Sequence, residues 1–90
     1  MDTKTFEGVI VSVPQPVVEA GQVFVLLAIQ NSDNDVKIFC CFMKGWATDT
    51  VDAAGLLLLP VGHKIKVRYG KSKLVSFIDD RLDGEILRYE

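Results

Sequence analysis

The chain has 90 residues, of which 49% are hydrophobic and 24% are charged. A chain of this length supports one hydrophobic core, so we expect a single domain over residues 1–90. Lys and Arg number 10 and Asp and Glu number 12, and the resulting net charge of -2 excludes both a polybasic tail and a strongly charged disordered chain. Any attraction to a charged partner must therefore be local.

The sequence carries no pattern typical of membrane insertion or secretion. Its longest apolar run, 55–61, is far shorter than the roughly 20 residues that a membrane-spanning helix needs. Residues 1–5 lack the apolar stretch and cleavage site of a secretory signal. We therefore expect a cytoplasmic protein with no membrane partner.

The cysteines Cys40 and Cys41 are adjacent in the sequence. Neighbouring side chains on a strand point to opposite faces, so we expect two free thiols in a reducing compartment and no disulfide. His63 is the single histidine, and no cluster has the spacing of zinc ligands. We expect neither a metal site nor a cofactor.

The first half of the chain has the period of two that is typical of strands. The first predicted strand is Thr5–Val13, with Gly8 as a bulge and with Pro14 and Pro16 ending it. The second is Gln22–Gln30. Its aliphatic residues are expected to face the core: Val23, Val25, Leu27 and Ile29.

A turn is predicted over 31–35, where short polar side chains can bond their own backbone. The third predicted strand, Val36–Lys44, follows it. One side of this strand consists of Val36, Ile38, Cys40 and Phe42. If these residues face inward, Phe39 is expected to point outward beside Lys37.

In the second half of the chain the spacing of the apolar residues first changes from that of a strand to that of a helix. Small and apolar residues at helical spacing predict a short helix between Trp46 and Leu59, which Pro60 ends. His63–Tyr69 returns to strict alternation, with lysines and an arginine on its outer side. Asp83 and Gly84 predict a hairpin turn that leads into a last strand, 85–89.

The order of strand, strand, strand, helix, strand, strand predicts a mainly β OB-fold. This fold is a five-stranded Greek-key barrel, here with one helix between strands 3 and 4. The segments 39–45 (FCCFMKG), 62–70 (GHKIKVRYG) and 79–84 (DDRLDG) resemble the layout of bacterial single-stranded DNA-binding proteins. The resemblance covers the core domain without the family's acidic C-terminal tail, and it implies binding of single-stranded DNA.

A cluster of positive charge supports the same interpretation. Segment 63–73 carries a charge of +5 with no acidic residue, whereas the rest of the chain is acidic. Neutralising phosphates supplies most of the affinity of proteins that bind nucleic acid without sequence preference. The alternative is a solvated strand face whose lysines discourage edge pairing. The five cations are Lys64, Lys66, Arg68, Lys71 and Lys73.

Aromatic side chains could add base stacking, which is worth roughly 1 to 3 kcal/mol per base. Phe24 and Phe39 are the candidates on the second and third predicted strands, and Trp46 is a weaker one because a tryptophan before a helix more often belongs to the core. The alternative is an apolar patch that is buried against another subunit.

Catalysis has little support in the sequence. No nucleophile motif or phosphate loop accompanies His63. The spacing of Asp79, Asp83 and Glu90 is similar to that of a calcium loop, but Arg81 stands where an oxygen ligand is required. We therefore expect a protein that is not an enzyme.

Two hypotheses follow. The first is a small module that binds single-stranded nucleic acid through a basic strand face and aromatic stacking. Its predicted site residues are Phe24, Lys37, Phe39, Lys64, Lys66, Arg68, Lys71 and Lys73. The alternative is a protein–protein interaction module or homo-oligomer that uses the apolar outer face of the second and third predicted strands, without nucleic acid.

Overall fold

The computed structural model describes residues 3–45, 47–58, 61–70 and 81–90. These residues form six strands and one short 3-10 helix. In chain order the elements are β1 (Lys4–Ile10), β2 (Gln15–Glu19), β3 (Gln22–Gln30), β4 (Val36–Phe42), the 3-10 helix (Ala54–Leu58), β5 (Lys64–Tyr69) and β6 (Arg81–Tyr89). In this part of the chain, no helix has the length and apolar character needed to cross a membrane.

Five of the strands close into a barrel. They are joined in the order β1, β5, β6, β4, β3, and β1 also pairs with β3 and so completes the ring. The β4–β6 pairing is parallel, and the other pairings of the barrel are antiparallel. A closed five-stranded barrel is consistent with an OB-like fold, so the expectation of a mainly β barrel is confirmed.

The sixth strand, β2, was not predicted. The Val11 N–H donates to the Ala28 carbonyl over 3.0 Å, and the Ala28 N–H donates to the Ser12 hydroxyl over 2.8 Å. Hydrogen bonds to β3 therefore continue after β1 ends, and the regular strand pairing with β3 begins again in β2. Pro16 is tolerated because β2, within the described residues, pairs with β3 alone. The prolines bend this run of chain without ending its pairing.

The predicted helix between Trp46 and Leu59 is wrong for the described residues, which contain a 3-10 stretch of five residues over 54–58. Two backbone donors in front of it are used by the barrel. The Val51 N–H donates to Ile86 O over 2.9 Å, and the Ala53 N–H donates to Met43 O over 2.8 Å. Because these donors bond to β6 and to Met43, the residue after β4, they cannot form α-helical bonds. Trp46 itself lies outside the described residues.

The predicted hairpin turn at Asp83 and Gly84 is also wrong, since both residues lie inside β6. A Cβ atom on Gly84 would lie 3.3 Å from the Phe39 ring and 3.4 Å from Cys41 Sγ. The glycine therefore makes room for close packing on β4 and does not form a turn. The alternation in the sequence also allows β5 to continue over 74–78, and these residues lie outside the part of the chain that the structure describes.

The core fills the inside of the barrel. Phe39 lies within it, with ring centroids 5.6 Å from Phe6 and 5.4 Å from Tyr69. Val23, which the sequence placed in the core, is exposed near the β2–β3 turn, whereas Val25, Leu27 and Ile29 are buried as predicted. The buried residues that pack together are Phe6, Ile10, Val25, Leu27, Ile29, Phe39, Cys41, Ala53, Leu56, Ile65, Val67 and Ile86.

Gly8 permits the close approach of β1 to the end of β3. A Cβ atom at this position would lie 2.1 Å from the backbone oxygen of Gln30, a contact that only movement of the strands can relieve. We expect Gly8→Ala to lower the free energy of unfolding by about 3 kcal/mol, at the upper end of the cost of overpacking, as measured by urea denaturation.

Gly21→Ala is the control for this substitution. A Cβ atom there meets nothing within 4 Å, but its φ of 74° is left-handed. The backbone conformation alone should then cost about 1 kcal/mol. A Gly8→Ala variant as stable as Gly21→Ala would contradict the tight β1–β3 contact.

Candidate binding surfaces

The predicted alternation of β5 is confirmed. Ile65 and Val67 are buried, whereas Lys64, Lys66 and Arg68 lie on the other side of the strand with exposed or half-exposed side chains. Three of the five predicted cations therefore share one outer strand face. Lys71 and Lys73 lie outside the described residues.

Arg68 is neutralised by carboxylates. Its guanidinium donates to both Asp49 carboxylate oxygens, at 2.6 and 3.2 Å, and lies 3.6 Å from a Glu85 oxygen. The hydrogen bond from Arg68 lowers the pKa of Asp49, and the same bond raises the pKa of Arg68. The ion pair holds the loop around Asp49 against β5. Because two carboxylates compensate its charge, Arg68 contributes little to the attraction of an anionic ligand.

A second ion pair flanks the middle of β5. Lys66 is in register with Glu7 of β1 and with Arg88 of β6, and Arg88 donates to Glu7 over 2.6 Å. Among the described residues, Lys64 and Lys66 make no ion pair of their own. Within this part of the chain, the basic strand face expected from the sequence therefore consists of two lysines without an ion pair, and acidic residues lie beside them.

The expected outward orientation of Phe39 is wrong. Its side chain is 0% exposed inside the barrel, while Val36 and Ile38 of the same strand are 54% and 37% exposed. Both faces of β4 are apolar in sequence, so alternation alone could not decide which one the core would take. Lys37 points to the inner side, with Nζ 5.8 Å from the Phe6 ring centroid, and it does not join the lysines of β5.

Phe24 lies on the outer face of β3, as expected, but it is only 3% exposed. Its ring packs against Phe42 on the neighbouring strand, with 5.3 Å between centroids. A ring buried in this way has no open face for a base. Neither predicted stacking residue is therefore available for stacking in this conformation.

The outer sides of β3 and β4 together form an uncharged surface, which we call the apolar face. The register pairs Phe24 with Phe42 and Ala28 with Ile38 across the two strands. Exposed apolar area on it comes mainly from Val36 and Ile38. Its residues are Phe24, Leu26, Ala28, Val36, Ile38, Cys40 and Phe42.

Cys40 and Cys41 are free and buried, which confirms the expectation of two thiols without a disulfide. Burial, with a smaller contribution from the Asp83 carboxylate, raises the pKa of Cys40 to about 11. Burial also raises the pKa of Cys41. Both therefore stay protonated at neutral pH and are poor nucleophiles. The described residues contain no group of three or more His, Cys, Asp or Glu placed to hold a metal ion.

The sequence did not reveal a groove of about 620 Å³ between the 31–34 turn and parts of β1, β5 and β6. Gln30, Asn31 and Asn34 line one side of it, and Lys64 and Arg88 lie on the other. In the sequence the groove is marked locally by the run of Asn, Ser and Asp at 31–35, and this pattern by itself predicts a turn.

No family model, no curated protein and no solved structure matches this chain. The binding surfaces are therefore interpreted from their own geometry.

The Asp49–Arg68 pair makes stability depend on pH. Because folding lowers the pKa of Asp49, the stabilisation is present above the unfolded-state pKa and is lost as pH falls through the folded-state pKa. We expect Asp49→Asn to unfold at a lower urea concentration than the wild type at neutral pH, with the two midpoints converging in acid.

Asp33→Asn is the matched control, because the Asp33 carboxylate makes no ion pair with the described residues. It should follow the wild type across the pH range. A constant difference between Asp49→Asn and the wild type from neutral to acidic pH would contradict the role of the ion pair.

Proposed function

We propose that this protein is a small non-catalytic module that assembles through its apolar face with a second copy of itself. One observation carries the proposal: seven uncharged residues occupy the outer side of two adjacent strands, and two of them, Val36 and Ile38, are exposed. Contiguous apolar patches exposed on a soluble protein mark interaction sites.

The seven residues of this face carry no charge, although Asp83 of β6 lies in register with Cys40 at its border, and their uncharged character favours a second copy as the occupant. A two-fold interface brings the same patch of both subunits together, so any charge near its centre would face its own copy. An acidic or basic partner would have no charge to recognise on these residues. The face is therefore complementary to itself.

The open edge of the sheet is less suited to assembly than the apolar face. Within the described residues β2 is an edge strand, and it contains Pro16, which cannot donate a hydrogen bond, and the charged Glu19. Both features discourage strand addition. Association by side-chain packing between apolar faces is thus favoured over extension of the sheet.

We expect the wild-type chain to be dimeric at micromolar concentration in light scattering coupled to gel filtration. Ile38→Lys and Val36→Lys should each raise the dimer dissociation constant at least about tenfold, which corresponds to about 1.4 kcal/mol. The physical reason is that each lysine would have to be buried against its own copy.

Val18→Lys provides the control, because Val18 is 71% exposed on the opposite side of the β2–β3 sheet. It should leave the dissociation constant unchanged. A wild-type chain that stays monomeric over the whole concentration range would overturn the proposal, as would equal weakening by Val18→Lys.

A second candidate function is binding of single-stranded nucleic acid, in keeping with the resemblance to bacterial single-stranded DNA-binding proteins. The specific observation in its favour is the pair Lys64 and Lys66, which lie on one strand face without an ion pair among the described residues. Alternate residues of a strand lie about 6.6 Å apart, so the two ammonium groups can contact successive parts of one backbone. Stacking on Phe24 or Phe39 is not part of this candidate.

Binding through two phosphate contacts has a defined salt dependence. For a labelled oligothymidylate followed by fluorescence anisotropy, we expect weak binding at low salt and a slope of log K against log salt of about -1.4, from about -0.7 per contact. The double variant Lys64→Gln, Lys66→Gln should abolish the binding.

Lys44→Gln removes one positive charge of the same kind from an exposed position outside β5, in the segment after β4, and it should change the affinity little. No change in anisotropy at low salt would exclude this candidate. A loss in log K from Lys44→Gln that is half the loss from the double variant, in proportion to the one charge removed against two, would reduce the binding to an unspecific effect of net charge.

A further inference from the structure

The groove beside the 31–34 turn is a built feature of the barrel. Its volume of about 620 Å³ falls within the range of small-molecule sites, about 300 to 1,000 Å³. Its wall at 88–90 is held in place because the Glu90 N–H donates to the Lys64 carbonyl over 2.9 Å. The seven residues of the apolar face do not line the groove, although Gln30, which does, lies in register with Val36 at the border of that face.

The charges around the groove cancel. Its ionised side chains are Glu7, Lys64, Arg88 and Glu90, two of each sign. Glu7 and Arg88 bond to each other over 2.6 Å. A phosphorylated or polyanionic ligand would face two carboxylates with one unpaired ammonium to offset them. The electrostatics therefore favour a ligand without net charge.

The uncharged polar side chains of the groove both donate and accept hydrogen bonds. They come from the end of β3 and from the turn: Gln30, Asn31, Ser32 and Asn34. Asn31 is held rigidly, because its Oδ1 accepts from the backbone N–H groups of Asp33 and Asp35 over 3.0 and 2.9 Å. Its Nδ2 group has no acceptor among the described residues and is left to donate. A rigid polar group loses little entropy on binding.

We infer that the groove binds a neutral ligand rich in hydroxyl groups, a saccharide. Each sugar hydroxyl both donates and accepts, which matches a lining of amide side chains that do both and of carboxylates that accept.

The test is a titration of the ¹⁵N-labelled full chain with maltose, cellobiose and diacetylchitobiose, followed by amide chemical shifts. At least one disaccharide should move the signals of residues 30–34 and 64–65 in a saturable way. Gln30→Ala should weaken that binding about fivefold, the loss expected from one hydrogen bond. Asn34→Gly should weaken it similarly while keeping the left-handed backbone at Asn34, whose φ is 65°.

Gln22→Ala is the matched control, because Gln22 lies at the other end of β3 and does not line the groove. It should bind the disaccharide as the wild type does. No saturable shift with any of the three sugars overturns the inference, and so does an unchanged affinity in both Gln30→Ala and Asn34→Gly. Shifts of the same amides by oligothymidylate and not by sugar would assign the groove to nucleic acid instead.

Discussion

The whole architecture depends on the double pairing of β1. This strand bonds to β5 along its length and to β3 at its end, and that second pairing turns a sheet into a closed barrel. Closure requires the backbones of β1 and β3 to lie close together at Gly8, where a side chain of any size would overlap with the Gln30 carbonyl. The barrel core, the apolar face and the groove all lie where they do because the ring closes at this point.

The parts of the fold that local pattern determines could be predicted. The alternation of lysines with Ile65 and Val67 placed β5 and its buried side, and the turn residues after Gln30 placed the β3–β4 connection. Local pattern did not determine which side of β4 is buried. Because the residues on both of its sides are apolar, the sequence could not show that Phe39 would enter the core and Ile38 would stay outside.

The errors have a common physical origin in contacts between residues far apart in sequence. The segment before the 3-10 helix had a helical pattern, but its donors at Val51 and Ala53 bond to Ile86 and Met43. Gly84 had the signature of a turn, but it lies under the ring of Phe39. The groove combines one turn with three strands, so no single segment could reveal it. Likewise, the partners of Arg68 lie at Asp49 and Glu85, outside the basic segment itself.

The late position of β5 and β6 in the chain has a consequence for folding. Hairpins such as β2–β3 and β3–β4 join neighbouring segments, whereas β1–β5 and the parallel β4–β6 pair join distant ones. Barrels dominated by such non-local pairings fold in milliseconds to seconds. During synthesis the apolar inner side of the β3–β4 hairpin stays uncovered until the last strands leave the ribosome. The nascent chain is thus exposed to aggregation for longer than a helical protein of equal length.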